Sequence, residues 1–483
     1  TATISSIVGD FIGNSATTTG NTSFGGAIYN YATSSGSEAT ISSIVGDFIG
    51  NSATGSSYSY GGAISNYAYY SGSTATISSI VGDFIGNSAT GSSYSYGGAI
   101  YNSAYYSVTA TISSIVGDFI GNSATTSSAS SSRYAQGGAI SNYANSGTAT
   151  IGVTNANFLN NYAQSSSATT VQGGAIYTNA NMTLKADGSV AKNGGVSTIS
   201  GNYISSNSGS TKNYEAIYVD SASATFTFNA INGGQFLIND KINGVAGYDL
   251  VFTGDNANTF DVNNIITNAD MTVTNADFNW NMSGNNVMDT SALNSLTVNA
   301  NADLGLTIDF NATGKQADKI TTTNTSTGTI TLESLNLTGD FTTWTTGDKV
   351  QIINNTDTAN STLQLALSSA VVTQLGGGTV HKVFEITDTT TGTDAITATT
   401  AWNDNFYSWH RDDTIEHYGV IGLATTSTTN DSIGYSEDHT AFIQGSRVND
   451  SQLDALKLVN NDTTNPTKDF TANADGVTYN VGA

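Results

Sequence analysis

The hydrophobic and polar positions in the first third of the chain repeat as a whole phrase. The phrase "ATISSIVGDFIGNSAT" begins at Ala2, and near copies begin at Ala39, Ala75 and Ala110. Its opening, "ATISSIV", alternates apolar, mostly β-branched residues with small polar ones, which is typical of a strand. This β-branched, serine-rich alternation predicts strands and argues against a helical repeat of similar length.

Three candidate strands are recognisable in each repeat, separated by corners of small residues or glycine. They have the sequences "GGAIYNYA", "ATISSIV" and "DFIGNSA". The tracts between the phrases, such as "TTTGNTSF" and "TSSASSSRYAQ", vary in length, and we interpret them as loops. Three strands in each repeat of 35 to 40 residues predict an all-β fold, a parallel β-helix.

Successive turns of a β-helix stack about 4.8 Å apart, so equal positions form columns of like side chains along the axis. The sequence predicts an inward aliphatic column at Ile4, Ile41, Ile77 and Ile112. It predicts an aromatic ladder at Phe11, Phe48, Phe84, Phe119 and Phe158. It also predicts an asparagine ladder, whose amides hydrogen-bond one another, at Asn14, Asn51, Asn87, Asn122 and Asn161. The glycine pair before Ala27 and its equivalents predict tight corners.

Four regions follow from how far the repeat persists. We predict regular turns at residues 1–180, degenerate turns at 181–310, a C-terminal β-helix segment with longer strands at 311–400, and a terminal element at 401–483. A solenoid must cover its last open turn, which favours an irregular C-terminal cap as the interpretation of the terminal element. A docking surface for the next subunit is the alternative.

Composition narrows the functional classes. Hydrophobic residues make up 38% of the chain, enough for a large core, whereas charged residues make up only 10%. The formal net charge of −24 argues against binding to nucleic acids or anionic lipids. The chain has no cysteine for a disulfide or a thiolate metal site, and it has no long apolar run, so we expect it to span no membrane.

A recurrent aspartate is the first candidate for ion chemistry. Asp10, Asp47, Asp83 and Asp118 occupy equal positions in four repeats, and Asn157 takes that position in the fifth. Stacked carboxylates repel each other by roughly 0.9 kcal/mol even in water, so we expect them to face solvent. A string of calcium ions along the column is the alternative, because hard cations favour oxygen ligands.

Catalytic chemistry has little support in the sequence. Parallel β-helices include polysaccharide-cleaving enzymes, whose reactions need clustered carboxylates with calcium or a basic arginine. Arg133 is the only basic residue among the first 150. A metal site from His410, Asp412, Glu416 and His417 is an alternative for the cluster "HRDDTIEH", but no ligand spacing there is diagnostic. We therefore predict no catalytic residues and no cofactor.

Tyrosines near the glycine pairs are the candidate contact residues. They are Tyr58, Tyr60, Tyr94 and Tyr96 before the glycines and Tyr67, Tyr69, Tyr70, Tyr105 and Tyr106 after them. Exposed aromatic rings stack on sugars or pack against a neighbouring fibre. In the alternative interpretation these tyrosines only cover the bases of loops.

The alternating motifs carry a resemblance to a known family. "GGAI" occurs five times, beginning at Gly25, Gly61, Gly97, Gly137 and Gly173, and "FIGN" occurs four times, with "FLNN" at Phe158. Over about residues 1–180 the chain thereby resembles the polymorphic outer membrane proteins and, more broadly, autotransporter passengers. The later text beginning "AINGGQFLINDK" is similar to less regular autotransporter β-helices. The resemblance implies a secreted, right-handed parallel β-helix displayed on the bacterial cell surface.

The favoured function is a non-enzymatic extracellular rod that acts as an adhesin or as a surface coat or fibre. Its partners would be a host or neighbouring-cell surface, glycans, or copies of itself. A subunit that assembles head to tail into a filament or lattice is the alternative. A carbohydrate-active enzyme is the third possibility, and the absence of a recognisable catalytic constellation counts against it.

Overall fold

Copies of the repeated phrase lie side by side in parallel register. In the computed structural model Ile4 pairs with Ile41, Ile41 with Ile77, and Ile77 with Ile112. Each copy is therefore one turn of a coil, and the prediction of an all-β parallel β-helix is confirmed. The right-handed sense of the coil stays a prediction.

The structure describes residues 1–339 except 128–132, 167–169, 207–208, 256–258 and 285–286. Beyond these it describes 349–357, 361–368, 370, 371, 374 and the backbone of a few strands given below. The chain divides into two compact units. The first unit comprises Thr1–Met282 and Ser291–Gly305, and the second comprises Ser283–Thr290 and Leu306–Ala483.

The first three turns contain six short strands each, not the three that we predicted. The candidate "DFIGNSA" bends in its middle because Gly13, Gly50 and Gly86 adopt a positive φ of 62–63°, which only glycine adopts without strain. "ATISSIV" is interrupted at its two serines in these turns, and it is continuous in the fourth turn as Thr109–Val116.

Four parallel sheets run along the first unit, and each is named here after a residue that it repeats. The isoleucine sheet carries the isoleucine and phenylalanine columns: Ala2–Ile4, Ile7–Val8, Phe11–Ile12, Glu38–Ile41, Ile44–Val45, Phe48–Ile49, Thr74–Ile77, Ile80–Val81, Phe84–Ile85, Thr109–Val116, Phe119–Ile120, Thr148–Thr154, Phe158–Leu159, Met182–Asp187, Val196–Ser200, Thr225–Ile231, Gln235–Ile238, Tyr248–Thr253, Thr259–Val262, Ala269–Thr274, Asp277–Asn281 and Ser295–Val298. The serine sheet comprises Ser15–Thr17, Ser52–Thr54, Ser88–Gly91, Ser123–Thr126, Tyr162–Ser165 and Tyr203–Ser205. The tyrosine sheet comprises Thr22–Phe24, Tyr58–Tyr60, Tyr94–Tyr96, Tyr134–Gln136 and Thr170–Gln172. The asparagine sheet comprises Ile28–Ala32, Ile64–Ala68, Ile100–Tyr105, Ile140–Asn145, Ile176–Thr178, Glu215–Val219 and Lys241–Gly244.

The tyrosine sheet lies in tracts that we expected to be loops, and this expectation is wrong. Thr22–Phe24 belongs to "TTTGNTSF", and Tyr134–Gln136 belongs to "TSSASSSRYAQ". The strand forms because its middle residue turns inward and finds a hydrogen-bond partner. Ser59, for example, is buried, and its hydroxyl donates to the carbonyl oxygen of Thr90 at 2.6 Å.

The glycine pairs form the corners between the tyrosine and asparagine sheets, as predicted. Gly61 has a positive φ of 65°. A Cβ on Gly62 would collide with the carbonyl oxygen of Gly98 in the next turn. The corner can therefore be this tight only because both residues lack a side chain.

The remaining strands belong mainly to the second unit. One short strand, Thr290–Leu293, contains the point in the sequence at which the chain passes from one unit to the other, and a 3-10 turn, Lys192–Gly195, lies in the first unit. The other strands are Asp303–Asn311, Gln316–Ala317, Lys319–Thr322, Thr327–Thr338, Lys349–Gln351, Ile353–Asn355, Thr362–Leu367, Val383–Thr389, Thr393–Thr399, Trp409–Arg411, Val420–Leu423, Asp469–Thr471 and Thr478–Asn480. Most of the predicted C-terminal cap lies outside the described residues.

Candidate functional site: the tyrosine face

The predicted phenylalanine ladder forms the inner scaffold behind the candidate site. The five rings of Phe11, Phe48, Phe84, Phe119 and Phe158 stack with centroids 4.6–4.8 Å apart and planes within 3° of parallel. Phe48 and the rings after it are buried. Offset stacking of buried rings stabilises each neighbouring pair by about 0.5–1.5 kcal/mol beyond burial alone, so the ladder makes the turns rigid.

The predicted asparagine ladder is also present, and it is longer than the sequence indicated. Asn87 is typical: its Nδ2 donates to Oδ1 of Asn122 at 2.9 Å and to the carbonyl oxygen of Phe48 at 2.9 Å. The ladder continues from Asn161 to Asn202 and ends on Asp240, whose carboxylate accepts from Nδ2 of Asn202 at 2.8 Å. Asn202 directly follows a glycine, as the first four members of the ladder do. This recurring "GN" was the signal that could have revealed the sixth member.

A second asparagine ladder was missed. Asn30, Asn66, Asn102 and Asn142 lie in the asparagine sheet, and successive Nδ2 and Oδ1 atoms are 2.7–2.8 Å apart. The ladder ends at Asn142, whose Nδ2 donates a hydrogen bond to the hydroxyl of Thr178 at 3.3 Å. The signal was the sixth letter of "GGAIYN" and "GGAISN", which is always asparagine in the first four turns.

The aspartate column is tied to the backbone and to one lysine. Asp83 Oδ1 accepts the N–H of Asp118 at 2.8 Å, and equivalent bonds link the other turns. Lys192 reaches back across the turns, and its Nζ lies 2.7 Å from Asp83 and 3.1 Å from Asp118. Asp10 is exposed, but Asp118 is buried, so the expectation that all four carboxylates face solvent is wrong for Asp118. The positive charge of Lys192 lowers the repulsion between carboxylates that we expected to keep Asp118 exposed to solvent.

Within the described ranges, no three His, Asp or Glu side chains lie close enough together to hold a metal ion. The calcium column at Asp10, Asp47, Asp83 and Asp118 stays an untested alternative. Of the cluster His410, Asp412, Glu416 and His417, all but the backbone of His410 lies outside the described residues. Among the described residues, no helix has the length and apolar character needed to cross a membrane.

Tyrosines from both sides of the glycine corner meet on one outer face of the first unit, which we call the tyrosine face. Tyr60 of the tyrosine sheet and Tyr101 of the asparagine sheet have ring centroids 4.7 Å apart. Tyr67 and Tyr105 also meet there, edge to face at 5.7 Å. The corner therefore joins the tyrosines before and after each glycine pair into one surface.

Two ladders run along the tyrosine sheet. In the outer ladder, the rings of Tyr58 and Tyr94 stack at 4.8 Å, and those of Tyr94 and Tyr134 stack at 5.5 Å. In the ladder beside the corner, the rings of Phe24, Tyr60 and Tyr96 stack at 5.0 and 5.4 Å. In the outer ladder, neighbouring rings occupy both faces of Tyr94, so only the end members Tyr58 and Tyr134 have a face without a stacked ring.

A second group of tyrosines lies at the far end of the asparagine sheet. Tyr69 contacts Tyr70 and Tyr106 edge to face, with centroids 4.9 and 5.2 Å apart, and Tyr105 lies 5.8 Å away. Tyr70 and Tyr106 are 50% and 54% exposed. The other predicted contact tyrosines are half-buried, because they cover one another.

The phenols of Tyr60, Tyr96 and Tyr105 remain neutral. Burial raises the pKa of Tyr105 to about 12, with a further contribution from Tyr143, and burial also raises the pKa of Tyr60 and Tyr96. Their hydroxyls can therefore donate and accept hydrogen bonds across the physiological pH range, and they add no charge to the surface.

A cleft of about 260 Å³ opens in the tyrosine face over the first turns of the coil. Its lining consists of Asn21, Thr22, Phe24, Tyr58, Tyr60, Tyr67, Tyr101 and Tyr105. Every lining side chain is aromatic or carries a neutral amide or hydroxyl. The cleft is thus an uncharged aromatic site in an otherwise acidic chain.

Comparisons of this chain with protein-family models, with curated proteins and with solved structures gave no match. What its geometry establishes is a repetitive solenoid of parallel strands, a parallel β-helix.

Proposed function

We propose that this protein is a non-enzymatic adhesive rod displayed outside the bacterial cell. The observation that carries the proposal is the tyrosine face, an uncharged aromatic surface held on a stack of hydrogen-bonded turns. Aromatic residues, tyrosine among them, are enriched in binding surfaces because they combine a large apolar area with a polar tip.

The polar residues of the first unit support a non-catalytic role. The asparagine ladders and the column at Asp83 and Asp118 are engaged in bonds between turns. A glycoside hydrolase needs two carboxylates facing one cleft, whereas the lining of the tyrosine-face cleft contains no carboxylate. The cleft has the composition of a binding site.

Adhesion of protein-coated beads tests this function. Beads carrying the full chain should attach to epithelial cells or to neighbouring bacteria in greater number than beads carrying albumin. A variant in which Tyr69, Tyr70 and Tyr106 are all replaced by serine keeps the ladders of the tyrosine sheet and the lining of the cleft, and it serves to locate the adhesive surface. Attachment of wild-type beads at the albumin level would contradict the proposal.

A further inference from the structure

Each end of the outer tyrosine ladder faces a threonine, and at the Tyr58 end that threonine lines the cleft. The register places Tyr58 opposite Tyr94 on one side and opposite Thr22 on the other. Tyr94 covers one face of the Tyr58 ring at 4.8 Å. Because threonine has no ring, the other face of Tyr58 is left without a stacking partner, and this position is where the cleft lies.

We propose that this gap in the ladder is a binding site for a neutral hexose unit of an oligosaccharide, which takes the place of the missing ring. The proposal rests on the adhesive function proposed above and gives it a ligand class. A hexose has an apolar C–H face that stacks on an aromatic ring, and it has hydroxyls around its edge.

The lining of the cleft provides for both parts of such a ligand. The free face of Tyr58 offers the stacking surface, while Asn21, Thr22 and the phenol group of Tyr60 offer neutral donors and acceptors. A volume of about 260 Å³ lies just below the range of about 300–1,000 Å³ for small-molecule sites, so it suits a single sugar ring.

Charge favours a neutral ligand. The lining carries no charged side chain that could pair with a carboxylate, a sulfate or an ammonium group. The formal net charge of −24 also repels anionic glycans. A neutral saccharide needs no charged partner in the cleft, and the acidic chain does not repel it.

Titration calorimetry with three neutral probes, cellotetraose, maltotetraose and tetra-N-acetylchitotetraose, tests the site. We expect at least one of them to bind the full chain. Tyr58→Ala should weaken that binding by about tenfold or more, because it removes the stacking surface. Tyr134→Ala should change it less than twofold, since Tyr134 ends the same ladder opposite Thr170 but does not line the cleft.

The decisive variant is Thr22→Tyr, which adds the missing ring. The new ring should stack on Tyr58 as Tyr94 does, fill the gap and abolish saccharide binding while the melting temperature stays at or above that of the wild type. Three results would each overturn the proposal: no probe binds the wild type, Thr22→Tyr binds as the wild type does, or Tyr134→Ala loses as much affinity as Tyr58→Ala.

Sedimentation and bead adhesion separate this inference from its rivals. A wild-type chain that binds no saccharide but self-associates, and a Thr22→Tyr chain that stays monomeric, would assign the gap to a second copy and overturn the saccharide site. Equal adhesion of wild-type and Thr22→Tyr beads would leave the adhesive function in place and overturn the saccharide site alone. If neither the wild-type beads nor the Thr22→Tyr beads adhere more than albumin beads, the adhesive function itself is contradicted.

Discussion

The early and late turns of the first unit stack in the same register with different residues. The isoleucine column runs from Ile77 through Ile112 and Ile151 and continues as Met182, Phe226, Leu250, Met271 and Leu296. The phenylalanine column likewise continues from Phe158 as Ile199, Ile238, Val262 and Trp280. The step from one column residue to the next is 36 residues at Ile41 to Ile77, 44 residues at Met182 to Phe226 and 21 residues at Leu250 to Met271.

Polar columns behave differently from apolar ones. The asparagine ladder keeps one residue type from Asn14 to Asn202 and ends on Asp240, where its repeated amide contacts stop. An apolar column needs only volume, so its members can change when their neighbours adjust. An asparagine in the ladder needs the same amide in the next turn to satisfy its donor and acceptor. Repetition of letters is thus required by the hydrogen bonds more than by the hydrophobic core.

Breaking the polar ladder should have the largest effect. Asn87→Leu leaves the N–H and Nδ2 of Asn51 and the carbonyl oxygen of Phe48 without the partner that Asn87 supplies. Each buried polar group that loses its partner costs about 1–3 kcal/mol, so we expect a loss of about 3–5 kcal/mol in the local free energy of unfolding. Amide hydrogen exchange across the second to fourth turns measures it. A loss below about 1 kcal/mol would show that the ladder contributes little.

Changing the apolar column in the same turn should cost less. Phe84→Ile introduces the residue that Ile199 and Ile238 already provide in the later turns of this column. We expect a loss of about 1–2 kcal/mol in the free energy of unfolding, because a smaller side chain leaves part of the ring's volume empty. Hydrogen exchange under the conditions used for Asn87→Leu gives a matched comparison. If Phe84→Ile costs as much as Asn87→Leu, the distinction between polar and apolar columns fails.

The phenylalanine ladder and the first asparagine ladder were predicted from the sequence because their members repeat at nearly constant spacing within two conspicuous motifs. The strands at Tyr58–Tyr60 and Tyr94–Tyr96 were missed because their surroundings vary in length, and a variable tract resembles a loop. The candidate cleft depends on Thr22 standing opposite Tyr58, a register that is defined only once these tracts are known to be strands. Lys192 reaches Asp83 over 109 residues from outside the repeat, so no spacing indicated that contact.

Two carboxyl groups should respond to pH in opposite directions. Burial raises the pKa of Asp240, so the folded state holds this proton more tightly than the unfolded state. Its contribution to stability is present in acid and is lost as the pH rises above about 4 through the folded-state pKa. The hydrogen bonds from Lys185 and Ser189 lower the pKa of Asp187, so its contribution is present near neutral pH and is lost as the pH falls below about 4.

Site-specific hydrogen exchange distinguishes the two groups. The backbone N–H of Asn202 donates to Asp240 at 2.8 Å, and that of Ser189 donates to Asp187 at 3.0 Å. After correction for intrinsic rates, protection at Asn202 should decrease from about pH 4 upward, whereas protection at Ser189 should decrease only in stronger acid. Asp240→Asn is the control and should remove the first trend alone. Parallel trends at the two amides would contradict this assignment.

The smallest expected effect concerns the lysine that bridges the aspartate column. Lys192→Met removes the ammonium group between Asp83 and Asp118, and both carboxylates then face each other across neighbouring turns. Since the lysine and Asp83 are about a quarter exposed, we expect a loss of only about 0.5–1 kcal/mol in unfolding free energy, smaller still at high salt. In a double-mutant cycle, Asp83→Asn should cancel part of that loss because it removes one of the two repelling charges while keeping the Oδ1 acceptor for Asp118. Strict additivity of the two changes would mean that the lysine stabilises the coil through its aliphatic stem and not through its charge.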